Sequence, residues 1–285
     1  MNLLIFGYGF TGRALAARMK QHGWSVAAAV RSPAARVQAE ADGVKGLALQ
    51  DAPAAALAAD AILIAAPPTD HGCPGFDLLE PALGSGKAKA RWIGYLSTTG
   101  VYGDHEGRWV YESSPTNAMS IEGARRVGAE RDWLGLSNDL GLPVAVFRLP
   151  GIYGPGRSPF DRLREGTAHR LIKPGQVFSR IHVDDLAAGL EASIARPRAG
   201  AIYHLCDDDP APSQDVTAFA AELIGVPPPP IEPYDDSGAM PAVRRFYREN
   251  KRVSNALAKA ELGWRPAYPS YRDGLPAVLE AEASR

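Results

Sequence analysis

Three glycines close to the start of the sequence have a spacing that suits phosphate binding. Gly7, Gly9 and Gly12 follow the apolar run 2–6 and open a stretch with helical periodicity. In a strand, turn and helix of this kind, the first glycine permits a tight turn, the second lets a diphosphate approach the backbone, and the third lets the helix pack closely on the sheet. The turn also includes Tyr8, Phe10 and Thr11. Because the first helical turn offers unpaired N–H groups to an anion, the pattern predicts a dinucleotide site, with simple relief of backbone strain as the alternative.

The residues after the second apolar run indicate which dinucleotide is expected. An acidic residue about 20 positions beyond the glycines normally holds a ribose 2′-hydroxyl, whereas an arginine there accommodates a 2′-phosphate. Arg31, followed by Ser32, occupies this place. The sequence therefore favours NADP(H) over NAD(H), and a solvated charge at Arg31 is the alternative.

Further contacts with the cofactor are predicted where other apolar runs end. Small residues at 65–67 would let the chain pass close to a bound cofactor, although they also suit an ordinary loop. The residues assigned to these contacts are Ala65, Ala66 and Pro67, together with Asp51, Pro150 and Gly151. Thr98 lies in a hydroxyl cluster after another apolar run, so it can contact a cofactor or substrate, or only form a turn.

Alternating strands and helices must position these residues. Seven apolar runs predict strands, and they lie at 2–6, 24–30, 44–49, 61–65, 92–96, 144–147 and 201–205. Their alternation with helical stretches predicts an α/β fold: an open, doubly wound parallel sheet of the Rossmann type, with ligands at the carboxyl ends of the strands. We expect residues 1–154, completed by 181–206, to form the dinucleotide-binding domain. Residues 155–180 and 207–285 would form a smaller substrate-binding lobe.

Composition limits the possible partners. The chain carries 31 Lys and Arg residues against 32 Asp and Glu residues, which argues against nucleic acid or an anionic membrane as the main partner and favours a small, neutral or weakly charged substrate. We find no signal peptide or membrane-spanning run, and we expect a cytoplasmic monomer or homodimer. Cys73 and Cys206 are too few for a disulfide framework, and we expect no metal because no second cluster completes a ligand set.

Four stretches of the sequence resemble the extended short-chain dehydrogenase/reductase family. They are GFTGRAL at 9–15, STTGVYG at 97–103, RLPGIYGPGR at 148–157 and RIHVDDLA at 180–187. The similarity continues through 203–210 and 252–264. The family contains the nucleotide-sugar epimerases and dehydratases, so the resemblance implies an oxidoreductase or epimerase-like enzyme that acts on a small carbonyl or hydroxyl substrate.

The catalytic pattern of that family is altered here. Its members carry a Tyr-x-x-x-Lys pair and a glutamate four residues later. With Glu130 placed on that glutamate, Glu122 falls on the tyrosine and Arg126 on the lysine, while Thr98 matches the catalytic Ser/Thr. The chain is similar to the atypical, YeeZ-like branch of epimerase/dehydratase-related proteins, which keep the cofactor fold without the standard active-site residues.

The replaced residues have different acid–base chemistry. Glu122 beside Arg126 would stay ionised, so it could act as a base but would be a poor proton donor near neutral pH. An ion pair between residues i and i+4 of one helix is the alternative. The resemblance thus assigns catalysis to Thr98, Glu122 and Arg126, with Tyr102 or Tyr153 as candidate proton donors. A non-catalytic NADP(H) sensor is the alternative function.

Two further features have open roles. His182 is expected either to face the substrate cleft or to be a satisfied structural histidine. The segment 238–250 carries Arg244, Arg245 and Arg248, which could grip a phosphate or carboxylate or form a solvated basic face.

Overall fold

The computed structural model describes residues 1–238 and 240–284, in which strands and helices alternate through most of the chain. The strands are β1 Asn2–Phe6, β2 Ser25–Val30, β3 Lys45–Ala48, β4 Ala61–Ile64, β5 Trp92–Thr98, β6 Trp109–Val110, β7 Val144–Leu149, β8 Gly151–Tyr153, β9 Arg170–Ile172, β10 Arg180–His182, β11 Ala201–His204, β12 Ile231–Pro233 and β13 Arg252–Val253. The α-helices are α1 Phe10–Gln21, α2 Pro33–Ala41, α3 Ala52–Ala58, α4 Pro74–Leu83, α5 Ile121–Leu140, α6 Pro159–Arg164, α7 Val183–Ala195, α8 Ser213–Leu223, α9 Pro241–Tyr247, α10 Ala256–Leu262 and α11 Tyr271–Ala283.

A seven-stranded sheet forms the centre of the fold, in the order β3-β2-β1-β4-β5-β7-β11. All of its pairings are parallel, and the chain crosses from β1 to both sides of the sheet, as in a doubly wound Rossmann fold. One face packs against an apolar cluster that includes Leu15 of α1 and Leu186 of α7. The other face packs against a cluster with Leu79 of α4 and Trp133 of α5. The predicted fold class is confirmed.

Each of the seven predicted strands is present, but β5 and β7 extend further than expected. They continue to Thr98 and Leu149, and their pairing includes Ser97 opposite Arg148 and Thr98 opposite Leu149. The sequence analysis ended both strands too early, because it recognised a strand only by its apolar residues and the residues that follow include polar ones. The extension places Thr98 at the carboxyl edge of the sheet.

A second group of elements packs around Tyr153. Its apolar cluster joins Phe160 of α6, Val216 of α8 and Tyr271 of α11 to that ring. Gly274 of α11 lies so close to the Tyr153 hydroxyl that a Cβ there would collide with it. The pairs β8–β10, β9–β12 and β6–β13 link this part of the chain to its neighbours. These helices belong to the predicted substrate-binding lobe, whose boundaries stay a prediction.

Cys73 and Cys206 are both buried free thiols. Within the described residues, no group of three or more His, Cys, Asp or Glu side chains could hold a metal ion. No described helix is both long and apolar enough to cross a bilayer.

Candidate functional site

The glycine-rich turn joins β1 to α1 at the carboxyl edge of the sheet. Gly7 has a φ of +96°, and a Cβ there would lie 2.7 Å from the amide nitrogen of Ala66. A Cβ on Gly12 would lie 3.0 Å from the Gly7 carbonyl oxygen. At Gly9, by contrast, no described atom outside its chain neighbours lies within 4 Å of the Cβ position. Packing of the chain itself therefore requires Gly7 and Gly12, whereas Gly9 faces open space.

The first turn of α1 offers backbone donors beside that open space. Gly9 is the N-cap of this 12-residue helix, and no side chain of the described residues caps it. The N–H groups of a helix start and the positive end of its dipole attract an anion. Phe10 begins the helix, and the centre of its ring lies 5.7 Å from the Cζ atom of the Arg157 guanidinium. The residues present thus fit the phosphate of a dinucleotide.

The Tyr8 side chain connects this turn to the end of α2. Its hydroxyl donates to Asp42 Oδ2 at 3.0 Å, and the same oxygen accepts from Arg13 Nε at 2.9 Å. Asp42 Oδ1 also accepts from Gln38 Nε2 at 3.0 Å. The Tyr8 side chain is therefore hydrogen-bonded to the end of α2. Only the Tyr8 backbone is then available to contact a ligand at the turn.

Arg31 lies at the same edge, after β2. Gly7 donates its N–H to the carbonyl oxygen of Ala29 at 3.0 Å, so the ends of β1 and β2 are neighbours. Arg31 is exposed and has no hydrogen-bond or ion-pair partner among residues 1–238 and 240–284. Ser32 Oγ accepts from the Ala35 N–H at 3.2 Å and caps α2, a structural role that the sequence analysis did not predict.

The other residues assigned to cofactor contact also follow strands of the sheet. The N–H groups of Ala65 and Ala66 donate to the Phe6 carbonyl oxygen at 2.9 and 3.0 Å, which ties the end of β4 to the glycine-rich turn. Four further residues follow β3, β4 and β7, namely Asp51, Pro67, Pro150 and Gly151. Carboxyl ends of parallel strands share one edge of a sheet, so the topology places all of these residues at the carboxyl edge, and their contact with a cofactor stays a prediction.

Thr98 ends β5 and begins a short turn. Its Oγ1 accepts from the Gly100 N–H at 3.1 Å, so the turn-forming role is present, while the hydroxyl hydrogen is left to donate elsewhere. A Cβ on Gly123 would lie 2.9 Å from the Gly100 carbonyl oxygen. The first turn of α5 therefore packs directly on the turn that Thr98 begins.

Glu122 and Arg126 do not form the ion pair that the sequence analysis gave as the alternative to a catalytic role. Arg126 donates to the carbonyl oxygen of Leu96, and its guanidinium lies 5.8 Å from the centre of the Tyr95 ring. Glu122 instead accepts a hydrogen bond from Arg245 Nη1 of α9 at 2.6 Å. Arg126 turns toward the sheet because a strand-end carbonyl and an aromatic face lie there, while the first turn of α5 meets α9.

Comparison with known proteins places this architecture in a family. Residues 1–87 match the family described as acetohydroxy acid isomeroreductase, NADPH-binding domain. Protein YeeZ of Escherichia coli K12 is 29% identical, with 98% of each chain covered. The dTDP-glucose 4,6-dehydratase of Streptomyces griseus is 29% identical over 65% of this chain and 56% of its own. A solved structure of a functionally unknown conserved protein from Silicibacter pomeroyi DSS is 46% identical, covers 98% of each chain and has a TM-score of 0.92. The chain belongs to the epimerase/dehydratase-like, extended short-chain dehydrogenase/reductase family.

Both tyrosines considered as proton donors for this epimerase/dehydratase-like protein are buried. Tyr102 is fully buried, with its hydroxyl 2.6 Å from both His204 Nε2 and Arg148 Nη1, and burial raises the pKa of Tyr102 to about 12. Tyr153 is also buried, which raises the pKa of its phenol well above the usual range. Its ring packs edge to face on His182, which is itself buried and accepts from the N–H of the helix it begins. The Nε2 atom of His182 has no hydrogen-bond partner among the described residues, so the structure does not show the satisfied histidine that was one of the two expectations.

A buried polar network links β5, β7 and α5 in this extended short-chain dehydrogenase/reductase, and the sequence analysis did not predict it. Arg148 Nη2 lies 2.8 Å from Glu130 Oε2. Ser97 Oγ donates to Glu130 Oε1 at 2.5 Å, and Arg148 Nη1 donates to the Tyr102 hydroxyl, which donates to His204 Nε2. Burial lowers the pKa of His204 to about 4, so its ring is neutral. An arginine inside an otherwise apolar strand was the available signal, since a buried charge needs a partner.

Proposed function

We propose that this protein binds NADP(H) and acts as an oxidoreductase or epimerase-like enzyme on a small carbonyl or hydroxyl substrate. The observation that carries the proposal is the open space over Gly9 beside the uncapped start of α1. The backbone of residues 7–12 would hold the diphosphate, and the residues after β3, β4 and β7 would line the rest of the cofactor. When bound, a nicotinamide supplies or accepts a hydride.

Arg31 supports NADP(H) as the preferred form. Its guanidinium is exposed and without a partner among the described residues, next to the end of β1. A free guanidinium there can form charge-assisted hydrogen bonds with a 2′-phosphate. The matching family is likewise described as NADPH-binding. NAD(H) is the alternative cofactor.

The substrate would lie beside Thr98, with the roles of the neighbouring residues changed from the family pattern. The Thr98 hydroxyl retains a hydrogen that can be donated to a substrate oxygen. Glu122 can accept a proton or a hydrogen bond, and Arg126 contributes positive charge from beside Leu96. We place the protein in the cytoplasm, as a monomer or homodimer.

Calorimetric titration with NADPH and NADH tests the cofactor assignment. We expect NADPH to bind more tightly than NADH. Turnover is then tested by adding a panel of small carbonyl compounds one at a time and measuring the oxidation of NADPH. At least one compound should cause NADPH to be oxidised. If neither dinucleotide binds the folded protein, the proposal is contradicted.

A non-catalytic NADP(H) sensor is the second candidate, and a specific observation favours it. Both residues at the positions of the family's tyrosine and lysine contact other groups, and Tyr102 and Tyr153 are buried. Neither of these two phenols is therefore a ready proton donor beside Thr98. Tight NADPH binding without oxidation by any member of the carbonyl panel would support the sensor.

A further inference from the structure

Arg157 brings a distant part of the chain to the start of α1. It lies in the loop between β8 and α6, and its guanidinium carbon is 5.7 Å from the centre of the Phe10 ring. A Cβ on Gly154, in the same loop, would lie 3.2 Å from Phe10 Cζ. The loop after β8 therefore packs on the first residue of the helix whose N–H groups face the proposed cofactor.

Hydrogen bonds fix the backbone that presents Arg157. The Gly154 N–H donates to the Arg157 carbonyl oxygen at 3.1 Å, and the Arg157 N–H donates to the Gly154 carbonyl oxygen at 2.9 Å. Between them, the Gly156 N–H donates to Glu282 Oε1 of α11 at 3.3 Å. A side chain that extends from a fixed backbone loses less entropy when it contacts a ligand.

The charge of Arg157 is not balanced by a side chain. Arg157 is exposed, and its guanidinium has no ion-pair or hydrogen-bond partner in the part of the chain that the structure describes. The start of a helix carries partial positive charge, so it repels a nearby cation unless an anion joins them. The first turn of α1 has no acidic residue, whereas those of α5, α7, α8 and α11 each have at least one. This arrangement points to an anion from outside the chain.

The Thr11 hydroxyl, in the first turn of α1, also lacks a partner. Thr11 is 7% exposed, and no described residue hydrogen-bonds to its side chain. Its oxygen is nevertheless not one of the fully enclosed polar atoms, so a ligand can reach it. Most buried polar groups in proteins are hydrogen-bonded. A guanidinium, a hydroxyl and the N–H groups of a helix start thus offer hydrogen-bond donors here, which suits a ligand group made of acceptor oxygens.

We propose that Arg157 is a ligand of the dinucleotide's diphosphate and completes the site that the backbone of residues 7–12 begins. This inference rests on the proposed function for the presence of the dinucleotide. A diphosphate carries negative charge and only acceptor oxygens, which matches the donors described above. NADP(H) and NAD(H) share this group, so Arg157 strengthens the binding of both, whereas Arg31 distinguishes between them. The contact also joins the predicted substrate-binding lobe, which includes residues 155–180, to the bound cofactor.

Calorimetric titration of the full chain with NADPH, NADH and inorganic pyrophosphate tests this role. Arg157→Gln should weaken NADPH and NADH binding by the same factor, about tenfold to a hundredfold, since a charge-assisted hydrogen bond is lost. The ratio of the two dissociation constants should stay as in the parent. Pyrophosphate binding should also weaken in Arg157→Gln. Arg157→Lys should recover part of the loss, because lysine keeps the charge without the planar fork of donors.

Arg162→Gln is the matched control, since Arg162 is an exposed arginine of α6 without an ion-pair partner in the described ranges. It should leave all three affinities unchanged, and thermal melts should show that every variant is folded. Equal NADPH affinity in the parent and Arg157→Gln would overturn the inference. A loss for NADPH without one for NADH would also overturn it, because Arg157 would then contact the 2′-phosphate.

The pyrophosphate titration separates this inference from the proposed function. If pyrophosphate binds in an Arg157-dependent way but neither dinucleotide binds the parent, the cofactor assignment is contradicted and Arg157 remains a phosphate ligand. If both dinucleotides bind the parent and Arg157→Gln with equal affinity, only the role of Arg157 is contradicted.

Discussion

Arg148 and Glu130 face each other in the interior of the protein, with 2.8 Å between Nη2 and Oε2. Arg148 belongs to β7 and Glu130 to α5, so the pair attaches the sheet to the helix that presents Glu122. Ser97 and Tyr102 bond to the same two side chains and satisfy their remaining polar atoms. The network therefore fixes where α5 lies relative to Thr98.

Glu130→Gln should destabilise the protein by about 3–5 kcal/mol, because it leaves the Arg148 charge buried without its counter-ion. Urea unfolding gives the free energy of unfolding directly. Asp132→Asn is the control, since it breaks the exposed pair with Arg131 and should cost less than about 1 kcal/mol. Equal effects of the two substitutions would contradict the role assigned to the buried pair.

Gly9→Val should abolish dinucleotide binding while the protein stays folded. The added methyl groups would enter space that no described atom occupies, where the phosphate is expected. Calorimetric titration with NADPH measures the effect. Gly128→Val on α5 is a matched control, since its Cβ position is equally open, and it should leave NADPH affinity unchanged. Unaltered NADPH affinity in folded Gly9→Val would remove the basis of the cofactor assignment.

Arg31→Asp should weaken NADPH binding about tenfold to a hundredfold more than NADH binding, because a partner of the 2′-phosphate becomes a repelling anion. The quantity to measure is the ratio of the two dissociation constants. Lys87→Asp makes a comparable change of charge in the loop between α4 and β5, which leads to the amino end of a strand. It should leave the ratio of the NADPH and NADH dissociation constants as in the parent. If Arg31→Asp also preserves the ratio, Arg31 is only a surface charge.

Local patterns were enough to predict the fold. Each central strand is an apolar run that can be recognised without its partners, and the glycine-rich turn is defined by residues within one short segment. The ends of β5 and β7 were missed because Ser97 and Arg148 are polar, and only the pairing of the two strands shows that they are buried.

The candidate site was harder to predict because its contacts are distant in sequence. Glu122 pairs with Arg245, 123 residues away, whereas Arg126 was the neighbour that helical periodicity could reveal. Tyr102 lies three residues after the hydroxyl residues 97–99, yet its hydroxyl contacts His204 and Arg148, which are far away in sequence. Such contacts depend on tertiary packing, which spacing along the chain does not encode.

Asp207 should make stability depend on pH. It is 1% exposed, and neither of its carboxyl oxygens has a hydrogen-bond partner among the described residues. Burial raises the pKa of Asp207 to about 8, although the Arg180 guanidinium opposes this. The folded state therefore holds a proton that the unfolded state releases. Between about pH 4 and pH 8 the contribution of Asp207 to the free energy of unfolding falls as pH rises.

Urea unfolding at about pH 5 and about pH 8 should show this fall in the parent but not in Asp207→Asn, a difference on the order of a few kcal/mol. Comparing parent and variant cancels the titration of His182, whose pKa is lowered by burial. Asp139→Asn, at an exposed position of α5, should keep the parent's pH dependence. The same slope in parent and Asp207→Asn would show that Asp207 is ionised in the folded protein.

The last prediction concerns the roles of Glu122 and Thr98 in turnover, once a substrate has been found. If Thr98 binds the substrate oxygen and Glu122 only holds Arg245, Thr98→Ala should lower kcat strongly and Glu122→Gln only slightly. If Glu122 is a general base, Glu122→Gln should cost about a hundredfold or more, since proton transfer by a positioned group contributes roughly 10² to 10⁴ in rate. We expect the first result, because the Glu122 carboxylate is exposed and paired with Arg245. A severe loss of kcat in Glu122→Gln with little loss in Thr98→Ala would reverse the two roles. Absence of turnover in the parent across the whole carbonyl panel, with NADPH bound, would favour the sensor.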